Sequence, residues 1–259
     1  MDDKYELTDE TIEVDGHTLH HIKALKDFYD VKKGDLGGFV ESAKNLSSEG
    51  NCWIYDQGCV YGTGRVFGNG RVSGNGCVFG NGRVFGNGCV SGYGWVFDNG
   101  CISGHGWVSG NGCVSGNGRV SGNGRVFCDG RVSDNGRVYG NGRVSGNGCV
   151  TDNGCVSGNG LVYGNACVNG NAHIHGDARI TGDGLVTNND DYATVSEFGP
   201  VTRPATFFRC MDGEVRVQCG YFYDTIDKFK EYVQTIREDK IAKYYLKTAN
   251  LMKERFKNS

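Results

Sequence analysis

Two histidines are the strongest candidates for catalysis in this chain of 259 residues. His173 and His175 lie on either side of Ile174, so in an extended segment both side chains point to the same side. An imidazole titrates near neutral pH and can act as a general base, and two imidazoles can form a weak metal pair. The alternative is that both are exposed polar side chains in a drifting repeat. No Ser-His-Asp order, P-loop or CxxC motif accompanies them.

Cysteine is the second residue type that could do chemistry. Eight of the twelve cysteines are separated by multiples of six residues, at Cys59, Cys77, Cys89, Cys101, Cys113, Cys149, Cys155 and Cys167. If eighteen residues make one coil of a solenoid, Cys59 and Cys77 lie one coil apart, at ~4.8 Å. That spacing is too long for two thiolates to bind one zinc ion without a third ligand, so we predict no metal site.

Arginine occupies the same position of the six-residue spacing in five successive repeats. A row of arginines could bind nucleic acid. The residues are Arg119, Arg125, Arg131, Arg137 and Arg143. On a three-sided solenoid they spread over all three faces, so we expect no single basic stripe. Together with a net charge of −3, this spread argues against nucleic acid as a partner.

Outward aromatic residues are more clustered than the charges. Tyr61, Phe79 and Phe97 are eighteen residues apart, so we expect them to stack on one face beside Trp95. A second pair stacks on another face, formed by Phe67 and Phe85. Stacked rings can simply stabilise the coils, but a contiguous exposed strip also marks an interface. We therefore predict that these six residues form an interface, either with another subunit or with a cap.

The element that must position all these residues is a six-residue repeat reading V-[SFY]-G-N-G-[RC]. An aliphatic residue stands at every sixth position from Ile54 to Val186 without a miss, and such a short fixed repeat indicates a solenoid. Counting the aliphatic residue as position 1, the Gly-Asn at positions 3 and 4 tolerates the left-handed backbone of a sharp corner. Each hexad is then one short strand plus one corner, with positions 1 and 5 inside and positions 2 and 6 outside. Three hexads close one coil, which gives roughly seven coils with an asparagine ladder along each corner.

The pattern resembles the left-handed parallel β-helix of hexapeptide-repeat proteins, an all-β solenoid. A right-handed helix, whose coils are usually longer and less regular, is the alternative. A solenoid needs caps, because its terminal coils otherwise present open strand edges. We predict an N-terminal hairpin and cap over residues 1–50, the β-helix over 51–198, and a small α+β tail of one hairpin and two helices over 199–259.

A more particular resemblance lies in the lead-in to the repeat. The segment LKDFYDVKKGDLGGFVESAKNLSSEGNCWIYD, residues 25–56, resembles the corresponding segment of the bacterial YdcK-type proteins. Those are left-handed β-helix proteins that carry an acyltransferase label, and the label itself rests on the repeat. The resemblance implies acetyl-CoA-dependent acyl transfer by a homotrimer, with coenzyme A bound and with His173 or His175 as the base. The present chain departs from that group because its repeats are more uniform and Gly replaces the usual Ala at most position-5 sites.

The residues themselves favour a different function. No loop leaves the repeat between Ile54 and Val186 to shape a pocket, and the outer faces are flat. We therefore predict a non-catalytic scaffold or binding module without a cofactor, which self-associates or binds a protein partner. The acyltransferase is the alternative. The acidic N-terminus is no signal peptide and no apolar run is long enough to span a membrane, so we expect a cytoplasmic protein.

Overall fold

The six-residue repeat folds into a three-sided β-solenoid. We describe it from a computed structural model, which covers residues 3–196, 204–236 and 240–257. Each hexad supplies one two-residue strand, here called a rung, whose second residue is an aliphatic side chain buried in the core. Rungs eighteen residues apart pair in parallel, as Val60 pairs with Val78. This register confirms three hexads per coil, and the longest side of the solenoid holds eight rungs.

The rungs form three sheets, one for each side. The cap face consists of Cys59–Val60, Cys77–Val78, Trp95–Val96, Cys113–Val114, Arg131–Val132, Cys149–Val150, Cys167–Val168 and Leu185–Val186. The first arginine face consists of Arg65–Val66, Arg83–Val84, Cys101–Ile102, Arg119–Val120, Arg137–Val138, Cys155–Val156 and His173–Ile174. The second arginine face consists of Trp53–Ile54, Arg71–Val72, Cys89–Val90, Trp107–Val108, Arg125–Val126, Arg143–Val144, Leu161–Val162 and Arg179–Ile180.

The corners between faces explain the Gly-Asn pair of the repeat. Position 3 lies in the left-handed region, with φ of +64° at Gly68 and +52° at Asp98, and glycine adopts this region without strain. The predicted asparagine ladder is confirmed along the corners, where for example the Asn69 amide donates to Asn87 Oδ1 at 3.1 Å. Stacked side chains therefore satisfy one another from coil to coil.

The N-terminal end is closed by a hairpin and a strand. The hairpin strands are Tyr5–Val14 and His17–Ala24, joined at the predicted Asp15–Gly16 turn. The next strand, Leu36–Val40, pairs antiparallel with the hairpin and parallel with the first rung of the cap face. Phe39, Val40, Leu46 and Trp53 are all buried, so this cap covers the apolar interior of the first coil.

The C-terminal end is closed by a four-stranded antiparallel sheet and two helices. A 3-10 turn, Asn189–Asp191, leads into strands Tyr192–Val195, Ala205–Arg209, Val215–Cys219 and Phe222–Thr225. Helices α1 (Ile226–Ile236) and α2 (Lys240–Lys257) follow, and neither is long and apolar enough to cross a membrane within the described residues. From the sequence, residues 193–195 could be read as one more displaced rung, but this is wrong because the segment pairs antiparallel with Ala205–Arg209.

The C-terminal sheet docks on the last coil, as expected for a unit too small to bury a large core alone. Phe208 and Cys210 join the core of the solenoid, and Gly184 forms a bridge with Cys210. The Arg179 backbone N–H donates to Thr206 Oγ1 at 3.0 Å. The sequence GPVTRP, residues 199–204, indicates a linker, and the apolar spacing after it indicates a first helix that ends at about Arg237. Residues 199–203 and Arg237 lie outside the described residues.

Candidate functional site

The two histidines lie at the C-terminal end of the first arginine face. His173 begins the last rung of that face, and His175 follows it at the start of the next corner. Their rings point to the same side, as predicted, with centroids 5.4 Å apart. The eighteen-residue register places Cys155 beside His173 on the preceding rung. Ser157, the second outward residue of that rung, completes the group.

His173 is bonded to neighbouring coils through both its ring and its backbone. Its Nε2 lies 2.7 Å from Ser157 Oγ and 3.4 Å from the Tyr139 hydroxyl. Its backbone N–H donates to Asn189 Oδ1 at 2.8 Å, and its carbonyl accepts from the Tyr192 hydroxyl at 2.7 Å. Sequence reasoning missed Ser157 and Tyr139, although both occupy position 2 and the eighteen-residue period aligns them with His175.

The electrostatics keep the His173 imidazole neutral. Burial and the neighbouring His175 charge lower the pKa of His173, so the ring can accept a proton at neutral pH. Ser157 is buried and can give its hydroxyl proton to that ring. No carboxylate among the described residues bonds to the His173 ring, so the arrangement is a Ser-His pair without the third member of a triad.

A cavity of about 480 Å³ lies beside His175, between the last coil and the C-terminal unit. Asn189, Tyr192 and Arg255 are among the residues that line it. The Arg255 guanidinium lies 3.7 Å from Asp190 Oδ1, which partly neutralises the one nearby cation. Within the described ranges no group of three or more metal-ligating side chains occurs.

The second candidate site is the cap face. Each of its eight rungs presents two outward side chains, all of them within the described residues, and Arg131 is the only charged one. The arginine faces differ, because each carries four arginines. Those of the first face are Arg65, Arg83, Arg119 and Arg137, and those of the second are Arg71, Arg125, Arg143 and Arg179.

This distribution agrees with the expectation that the five successive arginines form no single basic stripe, and it adds a bias that the expectation did not cover. The five arginines from 119 to 143 do spread over three faces, but the whole set of hexads concentrates arginine on two of them. On the first face Arg65 pairs with Arg83 and Arg119 pairs with Arg137 in adjacent rungs. The expectation did not reveal this bias because it counted only successive hexads, whereas neighbours in space are eighteen residues apart.

The cap face has a covered half and an uncovered half. The hairpin curls over the first two rungs, where Leu19 contacts a cluster that includes Cys59, Tyr61 and Cys77. The Tyr61 hydroxyl donates to Asp15 Oδ2 at 2.7 Å, at the tip of the hairpin. Tyr61 is therefore only 5% exposed and packs against the chain's own cap.

The predicted aromatic columns are present in the structure. Phe79 stacks on Tyr61 at 5.1 Å and on Phe97 at 5.0 Å, and Trp95 meets Phe79 edge-on. On the first arginine face Phe67 and Phe85 stack at 4.8 Å and are half-buried. The stacking is confirmed, while the interface role of these residues stays a prediction.

An open hollow lies on the uncovered half of the cap face, next to the protruding side chain of Trp95. Trp95 is 51% exposed, and the next rungs carry the smaller outward side chains Cys113, Ser115 and Ser133. The hollow measures about 800 Å³ and is lined by Trp95 and Phe97 at one end and by Arg131 and Cys149 toward the other. Its floor is the sheet itself, so the cavity arises from side-chain size alone.

The cap face also holds two pairs of cysteines on adjacent rungs. Cys59 and Cys77 have sulfurs 2.7 Å apart beneath the hairpin, much closer than the coil spacing suggested, because side-chain rotation brings the thiols together. Cys149 and Cys167 pair in the same way on the uncovered half. A hydrogen bond from the Cys149 thiol lowers the pKa of Cys167 to about 7.

Comparison with known proteins gives one partial similarity. No family model matches the chain. An uncharacterized acetyltransferase named YdcK, from Escherichia coli (strain K12), is 48% identical over 42 residues. These residues make up 16% of this chain and only 13% of the relative. Together with the solenoid of parallel sheets, this similarity is consistent with the hexapeptide-repeat β-helix proteins that the sequence resembles.

Proposed function

We propose that this protein is a non-catalytic interaction scaffold that binds a protein partner through the cap face. The observation that carries the proposal is the near absence of charge from that face, beside two faces with four arginines each. Depletion of charge with exposed aromatic residues is typical of protein interfaces. Trp95 is the exposed anchor of this surface, and tryptophan is among the residues that most often carry binding energy.

The shape of the solenoid supports the same function. Rungs follow one another without an inserted loop from Trp53 to Val186, so the faces are flat and their outward side chains are held by a rigid core. Such a surface suits a broad macromolecular contact better than a small ligand, which usually requires a concave pocket. The hairpin already covers the first two rungs with apolar side chains, so the surface beyond them continues an existing protein contact.

Site-specific photo-crosslinking in growing cells tests the proposal. A benzophenone amino acid would replace Ser115 on the cap face or, as the matched control, Ser103 on the first arginine face. Both serines occupy position 2 of their hexads and are half-buried. We expect a crosslinked protein adduct from position 115 and none from position 103.

A second variant shows whether the adduct depends on the anchor. Trp95→Arg gives the cap face the side chain that the other faces carry, and it should remove the adduct at 115 while the protein stays folded. Equal adducts at both positions, or none at either, would count against the proposal. Circular dichroism of each variant confirms that the fold is intact.

Acetyl transfer is the second candidate function. The specific observation in its favour is the neutral His173 imidazole bonded to Ser157 beside the cavity at His175, together with the partial similarity to the relative named as an acetyltransferase. As base, His173 would take the proton from an acceptor hydroxyl or amine while that group attacks the thioester carbon of acetyl-CoA. The C–S bond then breaks, the acetyl group stays on the acceptor, and the imidazolium returns the proton to the departing coenzyme A thiolate.

The second candidate is tested by binding and by turnover. Calorimetric titration with coenzyme A, followed by a thiol-release assay with acetyl-CoA and simple amines or sugars, would measure both. His173→Ala should remove turnover, whereas His105→Ala, at an exposed corner, should not. Because the pKa of His173 is lowered, activity should persist below the pH at which an ordinary imidazole becomes protonated. Absence of coenzyme A binding would contradict this function.

A further inference from the structure

We infer that the partner on the cap face is a second copy of this chain, related by a two-fold axis that lies in the plane of the contact and runs across the solenoid at the Cys113 rung. This inference rests on the proposed function and names the occupant of the same surface. A protruding side chain, Trp95, and the hollow lie next to each other on the cap face. Trp95 stands 51% exposed, and the hollow of about 800 Å³ begins on the rungs that follow it.

Because Trp95 protrudes beside the hollow, the cap face is complementary in shape to a second copy of itself. An isologous contact uses the same patch on both copies, so whatever protrudes on one must find its recess on the other. The rungs are spaced at ~4.8 Å, and Trp95, Cys113 and Arg131 begin three consecutive rungs of the cap face. A half-turn about Cys113 therefore carries Trp95 of one copy over Arg131 of the other, into the hollow.

The same half-turn gives Arg131 a partner. On the second arginine face Trp107 and Arg125 begin adjacent rungs, and the Arg125 guanidinium lies 5.5 Å from the Trp107 ring centre. On the cap face Cys113 stands between Trp95 and Arg131, and the structure describes no ion pair or ring contact for Arg131. Across the axis each Arg131 would stack on the other copy's Trp95. The dimer would therefore contain two equivalent contacts between a guanidinium and an indole ring.

The half-turn also pairs the outer rungs of the face. The axis places the covered half of each copy opposite the later rungs of the other. The outward side chains of the Cys149 and Cys167 rungs are Cys149, Thr151, Cys167 and Asn169, none of which is aromatic or charged. Stacking of solenoids end to end is disfavoured by comparison, because the chain's own hairpin strands and C-terminal sheet close both ends.

Crosslinking of purified full-length protein tests the axis. A short bis-maleimide should join two copies through Cys113, giving a dimer band on a denaturing gel. Cys113→Ser should remove the band. Cys101→Ser and Cys89→Ser should keep it, since these cysteines hold the same hexad position on the two arginine faces and are equally half-buried.

Sedimentation equilibrium tests the anchor. Trp95→Arg should weaken self-association by at least ~10-fold, as expected for a central tryptophan. Trp107→Arg changes the corresponding exposed tryptophan of the second arginine face and should leave self-association unchanged. A trimer whose crosslinks also need Cys101 would overturn the two-fold inference, because a ring joins unlike faces.

A protein that stays monomeric at ~100 µM, well above the ~1 µM dissociation constant of a moderate interface, would overturn the inference as well. The cellular crosslink at position 115 then separates the two proposals. An adduct with a different protein that is lost in Trp95→Arg would leave the scaffold function standing, and absence of any adduct would remove both.

Discussion

The cap face and the arginine faces are built from the same repeat and differ only in the side chains that point outward. All three rest on aliphatic residues that are almost completely buried, such as Val96, Ile102 and Val108. Outside, one face has a single arginine and the other two have four each. The comparison teaches that a solenoid separates stability from recognition, because position 1 holds the fold while positions 2 and 6 remain free to vary.

The largest expected effect comes from breaking the eighteen-residue register that aligns the rungs of successive coils. Deleting residues 109–126 removes one full coil and should leave a shorter protein that still unfolds cooperatively. Deleting residues 109–114 alone shifts every later hexad to the next face, mixes cap-face and arginine-face columns, and misaligns the C-terminal sheet with the last coil.

Thermal unfolding followed by circular dichroism measures both deletions. We expect the shorter deletion to lose its cooperative transition. Equal damage from the two deletions would contradict the independence of core and surface, since the longer one preserves every column.

The next effect compares the two edges of the cap face. At Gly82, on the corner leading to the first arginine face, an added Cβ would lie well inside van der Waals contact of the Val96 carbonyl oxygen. At Gly76, on the opposite corner, the nearest atom would be Ser73 O at 3.0 Å. Gly82→Ala should therefore destabilise by about 2–3 kcal/mol and Gly76→Ala by less than about 1 kcal/mol. Urea unfolding measures the difference, and equal losses would show that the corners have equal room.

A smaller effect concerns the covered half of the cap face. Tyr61→Phe removes the hydrogen bond to Asp15 and should cost about 1 kcal/mol. Tyr163→Phe is the control, because Tyr163 holds the same hexad position on the second arginine face and its hydroxyl bonds to no group among the described residues. If both variants unfold at the same urea concentration, the hydrogen bond between Tyr61 and the hairpin tip contributes nothing to the free energy of unfolding.

The smallest effect leaves stability unchanged and compares thiol reactivity on the two halves. Cys167 is half-exposed and its pKa is lowered to about 7, so its thiolate fraction rises as the pH increases through 7. Cys77 is buried, and its pKa is raised by the hydrogen bond with Cys59 and by burial. Alkylation by iodoacetamide, followed by mass spectrometry, should modify Cys167 from about pH 7 and spare Cys77 in the folded protein.

The Trp95→Arg variant is the suitable protein for that measurement, because a second copy on the cap face would shield Cys167 as well. Cys101 on the first arginine face is the control, since burial raises its pKa and no second thiol pairs with it. Comparable alkylation of Cys77 and Cys167 would mean that the hairpin does not protect the first two rungs.

The sequence spacing predicts which residues of the candidate sites share a face. The individual contacts between those residues depend on the direction of their side chains. The column of Tyr61, Phe79 and Phe97 follows from the eighteen-residue period. The contact between Ser157 and His173 does not, because it joins residues sixteen apart across two rungs. The 2.7 Å approach of the Cys59 and Cys77 sulfurs depends on side-chain torsions that a period cannot specify.

The sequence by itself determined the coil, the corners and the closing of both ends, because each follows from local rules. An aliphatic residue every six positions must be buried, Gly-Asn must turn, and terminal coils must be capped. Only the tertiary structure decided which surface remains open. The hairpin curls over Tyr61 and leaves Trp95 exposed, and that division arises from long-range packing between residues far apart in the chain.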